Sequence, residues 1–317
     1  MTQPLVTRVL HAPAVPPAGV VLELLKPVTW FPPMWAFACG AVSSGVALGG
    51  RGAVVATGVL LTGPLVCAAS QAMNDWCDRD VDALNEPGRP IPSGRLPGRW
   101  GLAVAWAWSA LSLGVAASLG TRGLLVAGVA LVLAWAYSAP PLRLKRNGWW
   151  GNLAVGVSYE GLAWIAGAAL LLAPAWPAWP VVALAACYSV GAHGIMTLND
   201  FKAIDGDRRS GIRSLPVQLG TGGAARVACA VMLAPQLVVI ALLVMWSRPL
   251  HASAVAALVV AQLPLMRRFL AAPRERALWY SGVGVPVFVA GMMVAAFAVR
   301  GVHVEGRHPR ARGGPVA

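Results

Sequence analysis

Residues 53–82 read AVVATGVLLTGPLVCAASQAMNDWCDRDVD. From Ala53 to Met73 no side chain is charged, and about 20 such residues suffice for a helix to cross the hydrocarbon of a bilayer. The run then ends in four aspartates within eight positions, Asp75, Asp78, Asp80 and Asp82. An apolar span that delivers a carboxylate ladder to a membrane surface is the organising unit of the whole chain. Nine such spans are expected, roughly 28–49, 53–75, 100–119, 123–139, 150–173, 178–199, 223–246, 249–266 and 280–299. The fold class that follows is an all-α, polytopic membrane bundle of about nine transmembrane helices. A β-barrel would show short alternating strands instead of unbroken apolar runs.

Composition agrees. The 317 residues are 57% hydrophobic and 12% charged, against about 25% charged in an ordinary soluble domain. The organisation expected is an interfacial lead over 1–27, a bundle over 28–300 and a polar tail over 301–317. Trp100, Trp149, Trp150, Trp176, Trp179, Trp246 and Trp279 fall at span ends, where an aromatic belt sits. The net charge of +13 does not indicate nucleic acid, because the basic residues lie between apolar runs, where they set topology. Eighteen of the 25 Lys and Arg fall in the lead and in the loops after spans two, four, six and eight, while the opposite loops hold only Arg51, Arg122 and Arg248. The first set is therefore expected on the cytoplasmic side. Nine spans would put the tail outside, yet it carries Arg300, Arg307, Arg310 and Arg312, a tension that a count differing by one would remove. Five cysteines without metal-finger spacing imply neither a disulfide framework nor a zinc site.

All seven aspartates lie in two segments, Asn74–Asp82 and Asn199–Asp207, each opening with Asn-Asp and closing with an Asp seven positions on. At about 100° per residue Asp75, Asp78 and Asp82 fall within roughly 60° of one another on a helix, while Asp80 points away. Asp200 and Asp207 share a face by the same count, and Asp205 does not. Like charges on one face repel. A hard divalent cation resolves the repulsion, and Mg²⁺ characteristically combines one or two carboxylates with substrate phosphates. A solvated polar loop would explain the charge but not the repeated spacing. Basic residues follow each segment: Arg89 and Arg95, then Arg208, Arg209 and Arg213, with a third patch at Arg143, Lys145 and Arg146 after Tyr137. Carboxylates, a divalent cation and a ring of Lys/Arg together make a diphosphate site. Arg89, Lys145 and Arg213 are read as diphosphate contacts, and Arg95, Arg99 and Arg146 as topology determinants.

The segments resemble the UbiA superfamily of intramembrane aromatic prenyltransferases. Its signature Asn-Asp-x-x-Asp-x-x-x-Asp is matched by Asn74, Asp75, Asp78 and Asp82. In its second signature Asp207 supplies the last Asp, but Ala203 stands where the first usually falls. Three further stretches, Asn85–Gly94, Tyr137–Asn152 and Gly191–Gly220, look like the chlorophyll synthase branch. The Trp76-Cys77 pair looks like the bacteriochlorophyll a synthases within it. The resemblance implies catalytic Asp75, Asp78, Asp82 and Asp207, Mg²⁺ on those four and Asp200, and diphosphate contacts from Asn74, Arg89, Tyr137, Lys145, Asn199 and Arg213. It implies a geranylgeranyl or phytyl diphosphate donor and a bacteriochlorophyllide acceptor, in a bacterial inner or intracytoplasmic photosynthetic membrane, with pigment-assembly proteins as possible partners. The chemistry would be allylic substitution, with an acceptor propionate already ionised at neutral pH and needing no general base.

Three residues inside the spans are candidates for the acceptor pocket. His193, seven before Asp200, could share its face or be a packing histidine. Glu160, beside Tyr159, could line the pocket or pair with a neighbouring helix. Gly194, with Gly156, Gly161 and Gly191, would let a flat ring approach closely, unless the glycines serve helix packing. The alternatives carried forward are a quinone or haem prenyltransferase, a transporter, and a pigment-assembly scaffold. A transporter would place its polar groups near mid-membrane, not at a surface ladder.

Overall fold

In lipid every backbone polar group needs an internal partner, so apolar runs become helices. The structure, a computed structural model, describes residues 15–300. Residues 1–14 of the expected lead and the expected tail over 301–317 lie outside them. The helices are α1 (Ala18–Leu25), α2 (Phe31–Ser43), α3 (Gly52–Leu60), α4 (Ala68–Asn85), α5 (Trp100–Ser118), α6 (Gly120–Ser138) and α7 (Gly148–Gly156). They continue with α8 (Ala163–Leu171), α9 (Trp179–Asp200), α10 (Ile204–Arg209), α11 (Leu215–Met245), α12 (Pro249–Ala271) and α13 (Pro273–Ala298). Wider π-turns over Leu61–Cys67 and Val157–Leu162 join α3 to α4 and α7 to α8. The described residues contain no strand, only an isolated bridge between Asn147 and Arg213.

Among the described residues eight helices are long and apolar enough to cross a membrane, Gly52–Leu84 first among them. The expected span at 28–49 is the difference. A short turn at Pro27–Thr29 precedes α2, which ends at Ser43 and has 13 residues. At 1.5 Å per residue that is roughly 20 Å, short of a bilayer. Pro32 and Pro33 sit in its first turn, where a missing N–H costs nothing. The helix compensates for its length by burial: Ala36, Phe37 and Cys39 are fully enclosed.

The main core joins α2, α8, α9, α11, α12 and α13. Trp164 stacks on Tyr188 at 5.7 Å, and Phe288 meets Tyr188 edge-on at 5.3 Å. A second cluster packs α1, α4, α5 and the loop between the last two through Leu24, Met73, Leu96 and Val104. Leu250, Leu278, Val132 and Trp179 are exposed, as the lipid-facing side of a bundle requires.

The small residues knit these helices together. A Cβ at Gly156 would strike the Ser189 carbonyl, one at Gly191 the Phe288 ring, and one at Gly194 the Ala228 carbonyl and Met232 at 2.6 Å. Gly194 therefore holds α9 against α11. Of the two roles open to Gly194, the structure shows the helix-packing one: the Ala228 carbonyl and the Met232 side chain fill the space beside it.

Candidate functional site

One cavity of about 970 Å³ runs from the ends of the aspartate segments into the bundle, at the upper end of ordinary small-molecule pockets, about 300–1,000 Å³. At its mouth it is lined by Asn74, Asp78, Asp82, Arg89, Tyr137, Lys145, Asn199, Asp200 and Asp207. Further in, the wall becomes apolar, with Leu61, Val66, Val126, Leu133, Leu162 and Leu170.

The first motif lies on continuous helix, since α4 runs unbroken to Asn85. Asp75, Asp78 and Asp82 accordingly share a face turned inward, while the Asp80 side chain is 86% exposed and, among the described residues, has its one ion pair with Arg79, at 3.8 Å. The second motif departs from the expected single helical face. The α9 helix stops at Asp200, and a turn over Phe201–Ala203 intervenes before α10. Asp200 and Asp207 still both reach the cavity, because the turn folds α10 back beneath it. Asn152 of α7 donates to Asp200 Oδ2 at 3.1 Å. Asp205 also lines the cavity and is half-exposed, and its carboxylate pairs with Arg274 at 2.5 Å.

Each carboxylate of the first motif is held by cations. Asp75 Oδ1 accepts from Lys26 Nζ at 2.6 Å and from Arg89 Nη1 at 3.3 Å. The same Arg89 nitrogen donates to Asp82 Oδ2 at 2.7 Å, and its Nε to Glu86 at 2.7 Å. Asp78 accepts from Arg143 at 3.1 Å and from Lys145 at 2.5 Å. Burial pulls the Lys145 ammonium below its ordinary pKa, opposed by the charge of Asp78. Burial also raises the Asp207 carboxyl, and the Asp78 charge pushes it the same way. The two motifs therefore act on one another electrostatically across the cavity.

Four expected site residues stand elsewhere. Asp75, 1% exposed, sits behind the wall, with Lys26 and Arg89 between it and the cavity. Arg213 is exposed and does not line the cavity; opposite Asn147 in the isolated bridge, its N–H donates to the Arg146 carbonyl and its carbonyl accepts from Gly148 N–H, each at 2.8 Å. The diphosphate-contact assignment of Arg213 is therefore corrected. His193 is buried against Trp149, ring centres 5.6 Å apart, and does not reach the cavity. Of the roles open to them, His193 takes the packing one against Trp149 and Gly194 the helix-packing one against α11. Glu160 does line the cavity. Sequence reasoning missed Lys26, whose only signal was its place just before the first apolar run. It also passed over Arg143 within a patch it had noted, and Asn152 in a stretch quoted for other reasons.

The donor set fits a hard divalent cation. Every candidate ligand is a carboxylate oxygen, and Asp75 Oδ2 is buried with no hydrogen-bond partner. Among the described residues no three acidic, His or Cys side chains converge into a ready-made cage.

A family model described as the UbiA prenyltransferase family matches residues 24–282. The chain is 55% identical over 295 residues to the bacteriochlorophyll synthase 33 kDa chain of Cereibacter sphaeroides, covering 93% of this chain and 97% of that one. It is 39% identical to the chloroplastic chlorophyll synthase of Arabidopsis thaliana, over 87% of this chain and 73% of that one. A solved UbiA homologue from Archaeoglobus fulgidus bound to GPP and Mg²⁺ superposes with a TM-score of 0.65 at 21% identity, covering 87% and 99% of the two chains. At that identity the likeness is one of fold.

Proposed function

The chain belongs to the UbiA prenyltransferase family, and from that premise we propose that it esterifies the propionate of a bacteriochlorophyllide with a prenyl group, releasing diphosphate. The bacteriochlorophyll synthases named among its relatives support this acceptor. The observation that carries the reading is a single cavity with both aspartate segments at its mouth and an apolar body behind them. The donor we assign is geranylgeranyl or phytyl diphosphate, whose charged head suits the mouth and whose tail suits the body.

Mg²⁺ held by Asp78, Asp82, Asp200 and Asp207 would neutralise diphosphate charge and make it a better leaving group. Lys145 and Arg143 grip Asp78, and Lys26 and Arg89 grip Asp75. As the diphosphate enters, these cations move from carboxylate to phosphate oxygens and take up the charge that builds on the departing oxygen. Tyr137, whose ring lies 6.0 Å from Lys145 Nζ, flanks that position, with Asn74 and Asn199 nearby on the wall. The acceptor propionate attacks the allylic carbon as the C–O bond to diphosphate breaks. It is ionised at neutral pH and needs no base. Leu61, Val66, Leu133 and Leu162 keep water from competing.

Membranes supplied with labelled geranylgeranyl diphosphate and bacteriochlorophyllide are expected to form the ester only with Mg²⁺, and to leave 4-hydroxybenzoate and haem unchanged. Prenylation of 4-hydroxybenzoate but not of bacteriochlorophyllide would overturn the acceptor and favour a quinone enzyme.

We further place the motif-bearing loops in the cytoplasm, in a bacterial inner membrane, on the bias of Lys and Arg. Cysteines introduced at Ser93 and Ser210 are expected to react with an impermeant thiol reagent from the cytoplasmic face of sealed vesicles. Reaction only from the opposite face would reverse the orientation.

A further inference from the structure

Two π-turns interrupt the walls of the cavity, Leu61–Cys67 and Val157–Leu162. Such turns are rare and concentrate at functional sites. Pro64 accounts for the first, since it lacks the N–H an α-helix would use. The second contains no proline; it contains Tyr159 and Glu160. The two turns meet: Tyr159 OH lies 3.2 Å from Cys67 Sγ and accepts from Gln71 Nε2 at 3.0 Å. Glu160 beside them is 8% exposed. Among the described residues it has neither an ion-pair partner nor a side-chain hydrogen bond to another residue. Tyr159, Gln71 and Glu160 all line the cavity. On α4, Gln71 stands one turn inward from Asp75, about 6 Å along the axis.

A hydrocarbon tail offers this band no hydrogen-bond partner, and covering polar groups with one is costly. The diphosphate head is satisfied at the mouth. What remains is the second substrate, whose reacting carboxylate must reach the mouth while its ring system extends inward. We propose that Glu160 in its protonated, neutral form, supported by the Tyr159–Gln71 pair, donates a hydrogen bond to an acceptor group on the rim of the macrocycle, such as a ring carbonyl, and so selects the acceptor. The proposal rests on the prenyl-transfer reading and adds a specificity residue to it.

Purified full-length protein would be assayed with bacteriochlorophyllide and geranylgeranyl diphosphate, each KM measured separately. Glu160→Leu is expected to raise the acceptor KM roughly tenfold, one hydrogen bond's worth, with the donor KM unchanged. Glu160→Gln, which still hydrogen-bonds, is expected to stay within about twofold of wild type. Tyr159→Phe, which deletes the neighbouring hydroxyl with little change in shape, is expected to raise the acceptor KM in the same direction. Raman spectra of the bound macrocycle are expected to show a hydrogen-bonded carbonyl stretch in wild type and Glu160→Gln, and a free one in Glu160→Leu. An unchanged acceptor KM in Glu160→Leu overturns the proposal. So does a parallel rise of both KM values with a lowered melting temperature, which marks a structural role. Equal damage from Gln and Leu overturns it in favour of charge. If Glu160→Leu fails to fold, Tyr159→Phe with an unaltered acceptor KM overturns it alone. A wild type that forms no ester refutes the prenyl-transfer reading, and this one with it.

Discussion

Asp78→Asn is expected to reduce turnover by about 1,000-fold or more while the protein still inserts and folds, and Asp75→Asn to do the same. Asp78 faces the cavity between Lys145 and Arg143. Replacing it removes both a charged oxygen for the cation and the anchor that aims two basic groups at the diphosphate. Charge stabilisation of several kcal/mol is at stake, and roughly 1.4 kcal/mol is a factor of ten. Asp75 contributes differently. Its Oδ1 holds Lys26 and Arg89 at the cavity wall, so asparagine leaves two diphosphate-binding cations poorly held. Asp80→Asn should stay within about twofold, because its side chain points to solvent and an exposed pair with Arg79 is worth little. Single-turnover rates at saturating Mg²⁺ and donor, on protein shown to be monodisperse, decide the matter. Near-normal rates in Asp78→Asn would remove it from the catalytic set.

Gly40→Val is expected to have the opposite signature, loss of the folded protein itself. A Cβ at Gly40 of α2 would run into the carbonyl of Trp164 and approach Ala168 N at 3.0 Å, and one at Gly167 of α8 would run into the carbonyl of Phe37. The two glycines let two backbones touch, and no rotamer change can move a backbone aside. The cost should exceed the about 1–3 kcal/mol of ordinary overpacking. Because α2 is short and held by burial, it has little lipid-facing length to fall back on. Gly128→Val, at a position with open space around its Cβ, is the control and should leave the melting temperature nearly unchanged. Comparable yields of monodisperse protein from Gly40→Val and wild type would show that α2 and α8 are not locked in this way.

Much of the site was legible because it is local. Spacings within one helix are geometry that a sequence carries, so the inward face of Asp75, Asp78 and Asp82 and the outward Asp80 could be read directly from α4. The same arithmetic failed for Asp200 and Asp207, because a three-residue turn resets the helical phase between them. Arg213 stands outside the cavity for a related reason, and of the two roles open to His193 the structure shows the packing one. Each has the right chemistry and a suggestive spacing, but a basic or aromatic side chain near a motif can be turned away by what its backbone is tied to. Arg213 is committed by the bridge to Asn147, and His193 by Trp149.

By itself the sequence determined that the chain is a helical membrane bundle, that its aspartates form two related motifs and that basic residues accompany them. Each of those follows from hydrophobicity, periodicity or composition along a single segment. Only the tertiary structure decided which cation meets which carboxylate. Lys26 reaches Asp75 across 49 positions, and Lys145 reaches Asp78 across 67. It alone decided that Gly194 packs against α11 while Glu160 opens onto the cavity. A helix offers several faces of similar composition. Which of them looks inward depends on the position of its neighbours, and that is a property of the assembled bundle and of no single stretch of it.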